Sequence, residues 1–494
     1  MAKEPLEIRP AGIKLSKKLV TPLYTQVYEQ FREMILNKRL RPGDRLPASR
    51  NLAKELGVSR VIVSQGFEQL MMEGYIVGKT GSGTFVASII PDVVLNAPKI
   101  ETIREREIQR GDLKIDEKRN LLSVREKTEV RPFQMGEPSL DQFPYKTWQQ
   151  VGNKVLKEMK GFHLGYDDCC GYWPLRKAIA SYLRVSRAVT CEAGQVIVVT
   201  GSQQGLNLVV KCLLNKGDSV WMEDPGYFGA SSAFTNAGVK MYPIPVEEDG
   251  LNIDYAMKKF GDAKLAYVTP SHQFPLGYTL SQSKRLQLLQ WAKKKNTWIL
   301  EDDYDSEFRY QGQPLASLQG LDDAGRVIYS GTFSKVLFPG LRLAYLVLPT
   351  LELVETFKEI KEYTDRQSPV IEQLIVTRYM EQGYFLRHIR KMRLLYAERQ
   401  SILARLLSEQ AQNHFRLAVA PSGMHLLCWL SPEINISKLR EEIERQHLVV
   451  SFVNDYSIEK KLPPAIALGF TAFSKYKLRV AVEKLMVCIR HSLR

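Results

Sequence analysis

Residues 327–342 read VIYSGTFSKVLFPGLR, and they hold the chain's clearest candidate for covalent chemistry. An apolar run of Val327, Ile328 and Tyr329 ends in small and hydroxyl residues, followed by Lys335, a Pro-Gly turn and Arg342. Apolar neighbours disfavour the charged form of a lysine, so its amine becomes available as a nucleophile toward an aldehyde. Thr332 and Ser334 offer hydroxyls and Arg342 a forked cation, a set that suits a phosphate. Taken alone, the stretch also reads as a solvated loop lysine. Three other stretches offer partners. GSQQGLNLVVKCLL sets Gly201, Ser202 and Gln203 at the opening of a helix, where unpaired N–H groups and the helix dipole hold phosphate. EDPGYFG presents Tyr227 after a Pro-Gly turn, placed to stack on a flat heterocycle or to pack a loop. EDDYDSEF ends an apolar strand in consecutive carboxylates, which are costly near a core unless they meet a cation or a ring N–H. Asp302 suits such a ring nitrogen, although the run also reads as a solvated strand end.

The elements that must position these residues alternate. Short β-branched runs (QVIVVTG, DSVWMEDPGY, KLAYVTP, TWILEDDY, RVIYSGTFSK) are separated by helical stretches, which predicts a mostly parallel α/β sheet with its functional loops at the strand ends. At 494 residues and 44% hydrophobic content, two or three domains are expected.

In this order, the pieces from 130 to 494 resemble the fold type I aminotransferases, which bind pyridoxal 5'-phosphate. The resemblance implies Lys335 as the internal aldimine, Asp302 at the pyridine nitrogen, Tyr304 at the ring hydroxyl and Tyr227 stacked on the ring. It also implies Ser202, Gln203, Thr332 and Arg342 on the phosphate. HLGYDDCCGYWPLRKAIASYL matches the family stretch in which a tyrosine reaches the partner subunit's phosphate, so Tyr166 takes that role and a homodimer follows. The sequence departs from the family twice. In SHQFPLG, Phe274 precedes the proline where family enzymes have asparagine, leaving His272 and Gln273 as substitutes, with His272 placed among the cofactor contacts. In IALGF, Ala467 stands where family enzymes tend to have an arginine for the substrate carboxylate. Without that charge-assisted anchor, the expected body is a sensor with at most slow transamination. Arg366 and Arg387 are candidate substitutes.

The first 90 residues differ in kind. Leu23, Val27, Phe31, Met34 and Ile35 recur at helical spacing until RPGDRLP breaks the pattern. ASRNLAKELGVS gives a short helix closed by Gly57, and SRVIVSQGFEQLMMEGYI opens a third with Ser59 as N-cap. YIVGKTGSGTFV predicts a hairpin with Gly78, Gly81 and Gly83 at its tip. This α+β winged helix-turn-helix resembles the GntR family through Gly43, Leu46, Pro47, Arg50, Leu52, Ala53, the run from Leu56 to Arg60, and Val63. The start of a recognition helix faces base edges, so Ser59, Arg60, Ile62 and Ser64 are candidate readers with Arg60 foremost. Arg45, Arg50 and the wing residues Lys79, Thr80 and Gly81 are candidate phosphate contacts. Fourteen Lys and Arg against eight Asp and Glu over residues 1–90 fit an anionic partner.

The predicted domains are residues 20–88 (winged helix-turn-helix), 89–129 (a charged linker) and 130–494 (the cofactor and effector body). As a coil of roughly 40 residues the linker spans about 35 Å, comparable to the roughly 34 Å between half-sites on DNA; IETIREREIQ reads alternatively as a short amphipathic helix. A net charge of +15 fits a nucleic-acid partner or plain solubility. Six scattered cysteines without CxxC spacing indicate neither a metal site nor a disulfide framework, and no signal-length or membrane-length apolar run is present. The expected location is therefore the cytoplasm. The whole arrangement resembles the MocR-type transcription regulators, which implies promoter DNA, pyridoxal phosphate and an amine or amino-acid effector as partners. A true aminotransferase with an accessory DNA-binding head is the alternative.

Overall fold

The computed structural model describes residues 12–79, 81–88, 130–312, 315–410 and 414–493. The chain divides into two units, 1–124 and 125–494, called here the head and the body. The stretch read as a linker, its alternative helix, and Thr80 lie outside the described residues.

In the head, helices α1 (Leu23–Leu36), α2 (Ser49–Glu55) and α3 (Arg60–Met72) precede an antiparallel hairpin of β1 (Ile76–Lys79) and β2 (Gly83–Val86). The apolar spacing read in α1 buries Val27, Phe31 and Ile35 against Val63, Phe67 and Leu70 of α3, with Phe31 and Phe67 edge to face at 5.2 Å. Gly66 lets the two helices approach, since a Cβ there would lie 3.0 Å from the Tyr24 carbonyl oxygen and from Val27 Cγ1. Ser59 occupies the N-cap position of α3, but its hydroxyl makes no capping hydrogen bond.

The body is built on an eight-stranded sheet. Its strands are β3 (Val196–Val199), β4 (Ser219–Asp224), β5 (Lys240–Glu247), β6 (Gly250–Leu251), β7 (Leu265–Val268), β8 (Trp298–Asp303), β9 (Val327–Thr332) and β10 (Ala344–Val347), in the order β3-β10-β9-β8-β7-β4-β5-β6. Strands β9, β8, β7, β4 and β5 run parallel, as expected from strand–helix alternation. β10 is antiparallel between β3 and β9, and β6 is antiparallel at the far edge. The strands are apolar on both faces because helices cover both sides, the rule for parallel sheets. A second, antiparallel sheet of β11 (Phe415–Ala418), β12 (His425–Leu430), β14 (Ala465–Gly469) and β13 (Ser451–Phe452) follows. Strand alternation divides its residues: Leu426, Ile466 and Leu468 enter the C-terminal core, whereas Leu427, Ala465 and Ala467 face the cluster of Leu276, Leu280 and Trp291.

Candidate cofactor site and nucleic-acid interface

Lys335 lies three residues beyond the end of β9, half-buried, with Nζ donating to the Gly136 carbonyl at 2.9 Å. Gly136 has φ +69°, a conformation that favours glycine, and a Cβ there would sit 2.9 Å from Nζ. The segment carrying it is fixed from several sides. The Tyr396 hydroxyl accepts from Ser139 N at 2.9 Å, Arg399 Nη1 donates to Ser139 Oγ at 2.9 Å, and Thr471 Oγ1 donates to the Glu137 carbonyl at 2.6 Å. On the other side of the lysine, His388 Nε2 donates to the Val336 carbonyl at 3.0 Å. No short motif signalled Gly136 or His388, because they meet Lys335 and its neighbour Val336, respectively, from distant segments.

The carboxylates of β8 separate by alternation. Glu301 accepts from Leu318 N and Gln319 N, and Asp303 from Arg187, Tyr329 and Ser306. Asp302 points to the opposite face, where Tyr267 donates its hydroxyl to Oδ2 at 2.7 Å. Asp302 is 5% exposed, and its Oδ1 is buried with no hydrogen-bond partner among the described residues. Burial, with Asp303 nearby, pushes the carboxyl up to about 6, although the Tyr267 hydrogen bond pulls the other way. Such an acceptor is costly unless a donor arrives, and a protonated ring nitrogen supplies one. Glu223, at the end of β4, is also buried and pushed up to about 7 by desolvation; it accepts from Thr269 N, Thr269 Oγ1 and Gln273 Nε2.

The phosphate end is formed at the start of helix Ser202–Leu213. Gly201, at φ +144°, is its N-cap, and a Cβ there would meet Arg342 Nη2 at 3.0 Å, so the guanidinium lies over the helix start. Thr332 ends β9, on the same strand face as Ser330, the register partner of Asp302. The Gln203 side chain is engaged elsewhere: Nε2 donates to the Gly229 carbonyl at 2.9 Å, which leaves its backbone N–H as the group suited to an anion.

Phe274, the residue in place of the family asparagine, is the centre of an aromatic group. Its ring lies edge-on to Tyr227 at 5.7 Å, to Tyr304 at 6.2 Å and to Tyr456 at 5.1 Å. Tyr304 donates to the His272 carbonyl at 2.9 Å, and His272 Nδ1 lies 2.9 Å from Asp305 Oδ2 and 3.1 Å from the Tyr304 oxygen. His272 thus lies beside Tyr304 through Nδ1, while its Nε2 is buried with no hydrogen-bond partner among the described residues. Gly423 seats this imidazole, since a Cβ there would fall 2.0 Å from His272 Cε1. Gln273 braces the loop through the Glu223, Pro225 and Phe274 oxygens. Ala467 is fully buried on the face of β14 whose Gly469 abuts the Gln134 carbonyl, two residues before Gly136. The structure turns both candidate replacement arginines to other partners. Arg387 lies over the Tyr384 ring and donates to Gly383 and Gln382 carbonyls; Arg366 lies over the ring of Tyr166 at 4.1 Å. Tyr166 itself is 80% exposed. Asp168, Cys169 and Cys170 come within ligand distance of one another, but Asp168 is held by Arg176 at 2.9 Å and burial pushes the Cys170 thiol up to about 12.

In the head, Arg60, Val61, Gln65 and Glu68 form the exposed face of α3, with Ser59 exposed just before it and Ser64 half-buried. Ile62 departs from the expected role of reader. It is half-buried, packed against the head core. Val61, 62% exposed, takes the outward position that sequence reading assigned to Ile62. Arg50 is exposed on α2, and Arg60 Nε lies 3.4 Å from Ser49 Oγ. Arg45 pairs with Phe85 beside the wing, Lys79 Nζ lies 5.2 Å over the Phe85 ring, and Gly81 is exposed at φ +75°.

Residues 129–485 match the family described as aminotransferase class I and II, and residues 23–86 match the gntR family of bacterial regulatory proteins. The probable rhizopine catabolism regulatory protein MocR of Rhizobium meliloti is 34% identical over 94% of this chain and 93% of its own length. The chain belongs to the MocR-type regulators of the GntR family. The HTH-type pyridoxine biosynthesis transcriptional regulator PdxR of Corynebacterium glutamicum is 30% identical over 83% of this MocR-type chain and 84% of its own. Among solved structures, kynurenine aminotransferase of Pyrococcus horikoshii, in complex with PMP, matches at a TM-score of 0.70 and 25% identity, covering 82% of this chain and 99% of that one. LysN of Thermus thermophilus, complexed with N-(5'-phosphopyridoxyl)-L-leucine, matches at 0.69 and 25%, covering 77% and 96%. The body of this MocR-type regulator thus has a fold built for pyridoxal 5'-phosphate, joined to a GntR DNA-binding head. No helix among the described residues is long and apolar enough to cross a membrane.

Proposed function

We propose that this MocR-type regulator is a cytoplasmic homodimer that binds promoter DNA through its heads and carries pyridoxal phosphate in its bodies. On this reading the body senses the cofactor or an amine or amino-acid effector. The observation that carries the cofactor assignment is the buried Asp302 Oδ1, an acceptor that makes no hydrogen bond among the described residues. Bound there, the cofactor contributes an aldehyde for amines and a ring that draws electrons. The chain's own residues do the rest. Lys335 holds the cofactor through Nζ, and Asp302 keeps its ring nitrogen protonated. Tyr304, steadied by His272, meets the ring hydroxyl, and Tyr227 covers the ring. The N–H groups of Ser202 and Gln203, with Thr332 and Arg342, hold the phosphate, and Tyr166 reaches that of the partner subunit. In the head, Ser59, Arg60, Val61 and Ser64 read bases, while Arg45, Arg50 and the wing, Lys79 to Gly81, contact phosphates.

Sensing is favoured over turnover by the position that Ala467 occupies. It is closed among apolar side chains, and a carboxylate placed against such a wall without a cation is poorly held. A ligand that binds one arrangement of the heads more tightly than another shifts the population between them. The test compares steady-state transamination with ligand-dependent promoter binding in one preparation. The expected result is DNA affinity that responds to cofactor or amine, with little turnover. Brisk multiple turnover with unmoved DNA affinity would establish the alternative, an aminotransferase with an accessory head.

A further inference from the structure

Four consecutive side chains between helices Leu351–Thr364 and Val370–Glu381 together grip three parts of the body, the phosphate-end helix, the Tyr166 loop and β3. Asp365 Oδ2 accepts from Gln204 Nε2, in the first turn of the phosphate-end helix, and from Lys361 Nζ at 3.0 Å. Gln204 Oε1 in turn accepts from Thr200 N and Oγ1, directly before Gly201. The guanidinium of Arg366 covers Tyr166. Gln367 accepts from Asp167 N and donates to the Gly165 carbonyl at 3.4 Å. Ser368 Oγ donates to the Val198 carbonyl of β3 at 3.2 Å.

The bracket is held by an unusual pair of features. Lys361 is fully buried, and its Nζ also donates to the Arg366 carbonyl at 3.0 Å. Arg366 itself has φ +60°, a left-handed conformation that a non-glycine residue keeps only when its surroundings impose it. A buried lysine is tolerated when its charge and hydrogen bonds are met, and here both partners lie in the bracket. One end of the assembly therefore fixes the turn that faces a subunit's own phosphate, and the other fixes the loop of Tyr166.

We propose that residues 365–368 couple the two cofactor sites of the dimer, with Asp365 and Lys361 as positioning residues. This rests on the reading above, in which Tyr166 reaches the phosphate of the partner subunit. Phosphate bound at one site orders the first turn of its helix, and through Gln204, Asp365 and Arg366 it orders the Tyr166 loop that completes the other site. Linkage makes the effect reciprocal. Cofactor binding is thus positively cooperative, and the cooperativity depends on the phosphate.

The experiment titrates cofactor-free, full-length protein with pyridoxal phosphate and with pyridoxal, following visible absorbance, with the dimer monitored by sedimentation. Expected are a Hill coefficient above 1 for pyridoxal phosphate and of 1 for pyridoxal. The double variant Lys361→Met with Asp365→Asn leaves no buried charge unpaired. It should bind pyridoxal phosphate about tenfold more weakly, in the lower range for coupled sites, with a Hill coefficient of 1 and unchanged pyridoxal affinity. Gln204→Leu, which leaves the buried lysine paired, should reproduce the loss of cooperativity. A non-cooperative wild type, equal cooperativity with pyridoxal, or variants that keep the wild-type curve would overturn the coupling while leaving the cofactor assignment intact. A protein that binds neither compound, or that stays monomeric, would instead overturn the proposed function on which the coupling rests.

Discussion

Replacing Asp302 by asparagine should stabilise the cofactor-free protein and weaken its hold on pyridoxal phosphate, two effects of opposite sign from one atom pair. Burial raises this carboxyl from its ordinary 3.8 to about 6. At 1.36 kcal/mol per pKa unit, ionising it at neutral pH costs the folded protein roughly 3 kcal/mol. Asparagine has the same shape, can still accept from Tyr267, and does not ionise. The cost has a definite pH window. Near pH 4 the folded state keeps its proton and the difference between the proteins is small. It grows as pH rises toward 6, because the unfolded chain ionises freely there and the folded chain does not, and it is complete above about pH 7. The variant's advantage should therefore be about twice as large at pH 7.5 as at pH 5. Cofactor binding reverses the comparison, since the charged Oδ1 gains a charge-assisted hydrogen bond of about 1.5–3 kcal/mol. Its loss corresponds to roughly 10- to 150-fold weaker binding. Denaturant melts of the stripped proteins at the two pH values, with absorbance titrations of cofactor, measure both terms. A variant that is less stable at pH 7.5 and binds cofactor normally would show that Asp302 is a structural residue and that the reasoning is wrong.

Lys335→Ala should abolish the visible band of the bound cofactor, and borohydride treatment of the wild type should label the peptide that contains Lys335; a band that survives the substitution would refute the assignment. Arg60→Ala should cost about 1–3 kcal/mol at one base position, whereas Arg50→Ala should weaken all sequences alike and reduce the salt slope by about one unit. Binding curves on operator and random DNA at several salt concentrations separate the two. Val61→Ser should change preference at an A·T pair, where an exposed apolar side chain can meet the thymine methyl. Ile62→Ser, by contrast, should lower the melting midpoint of the head by exposing its core; equal specificity changes for both would contradict the burial difference.

Much of this protein is written in local sequence, because the signals are short-range. Helical spacing in the head, the Pro-Gly and glycine breaks, and the β-branched runs of β3, β4, β7, β8 and β9 each follow from periodicity and turn chemistry within a few residues. The candidate lysine, carboxylate and phosphate helix were legible for the same reason: each sits where a strand or helix ends. Tertiary structure decided what periodicity does not carry. Alternation along β8 sent Asp302 to one face and Asp303 to Arg187 on the other, a choice that the string EDD leaves open. The helical phase of α3 turned Ile62 inward and Val61 outward, although they are adjacent β-branched residues. Gly136 against Lys335, His388 on Val336 and the Asp365 bracket join segments up to 202 residues apart. Such contacts depend on where packing brings distant backbones together, and no spacing within a single element encodes them.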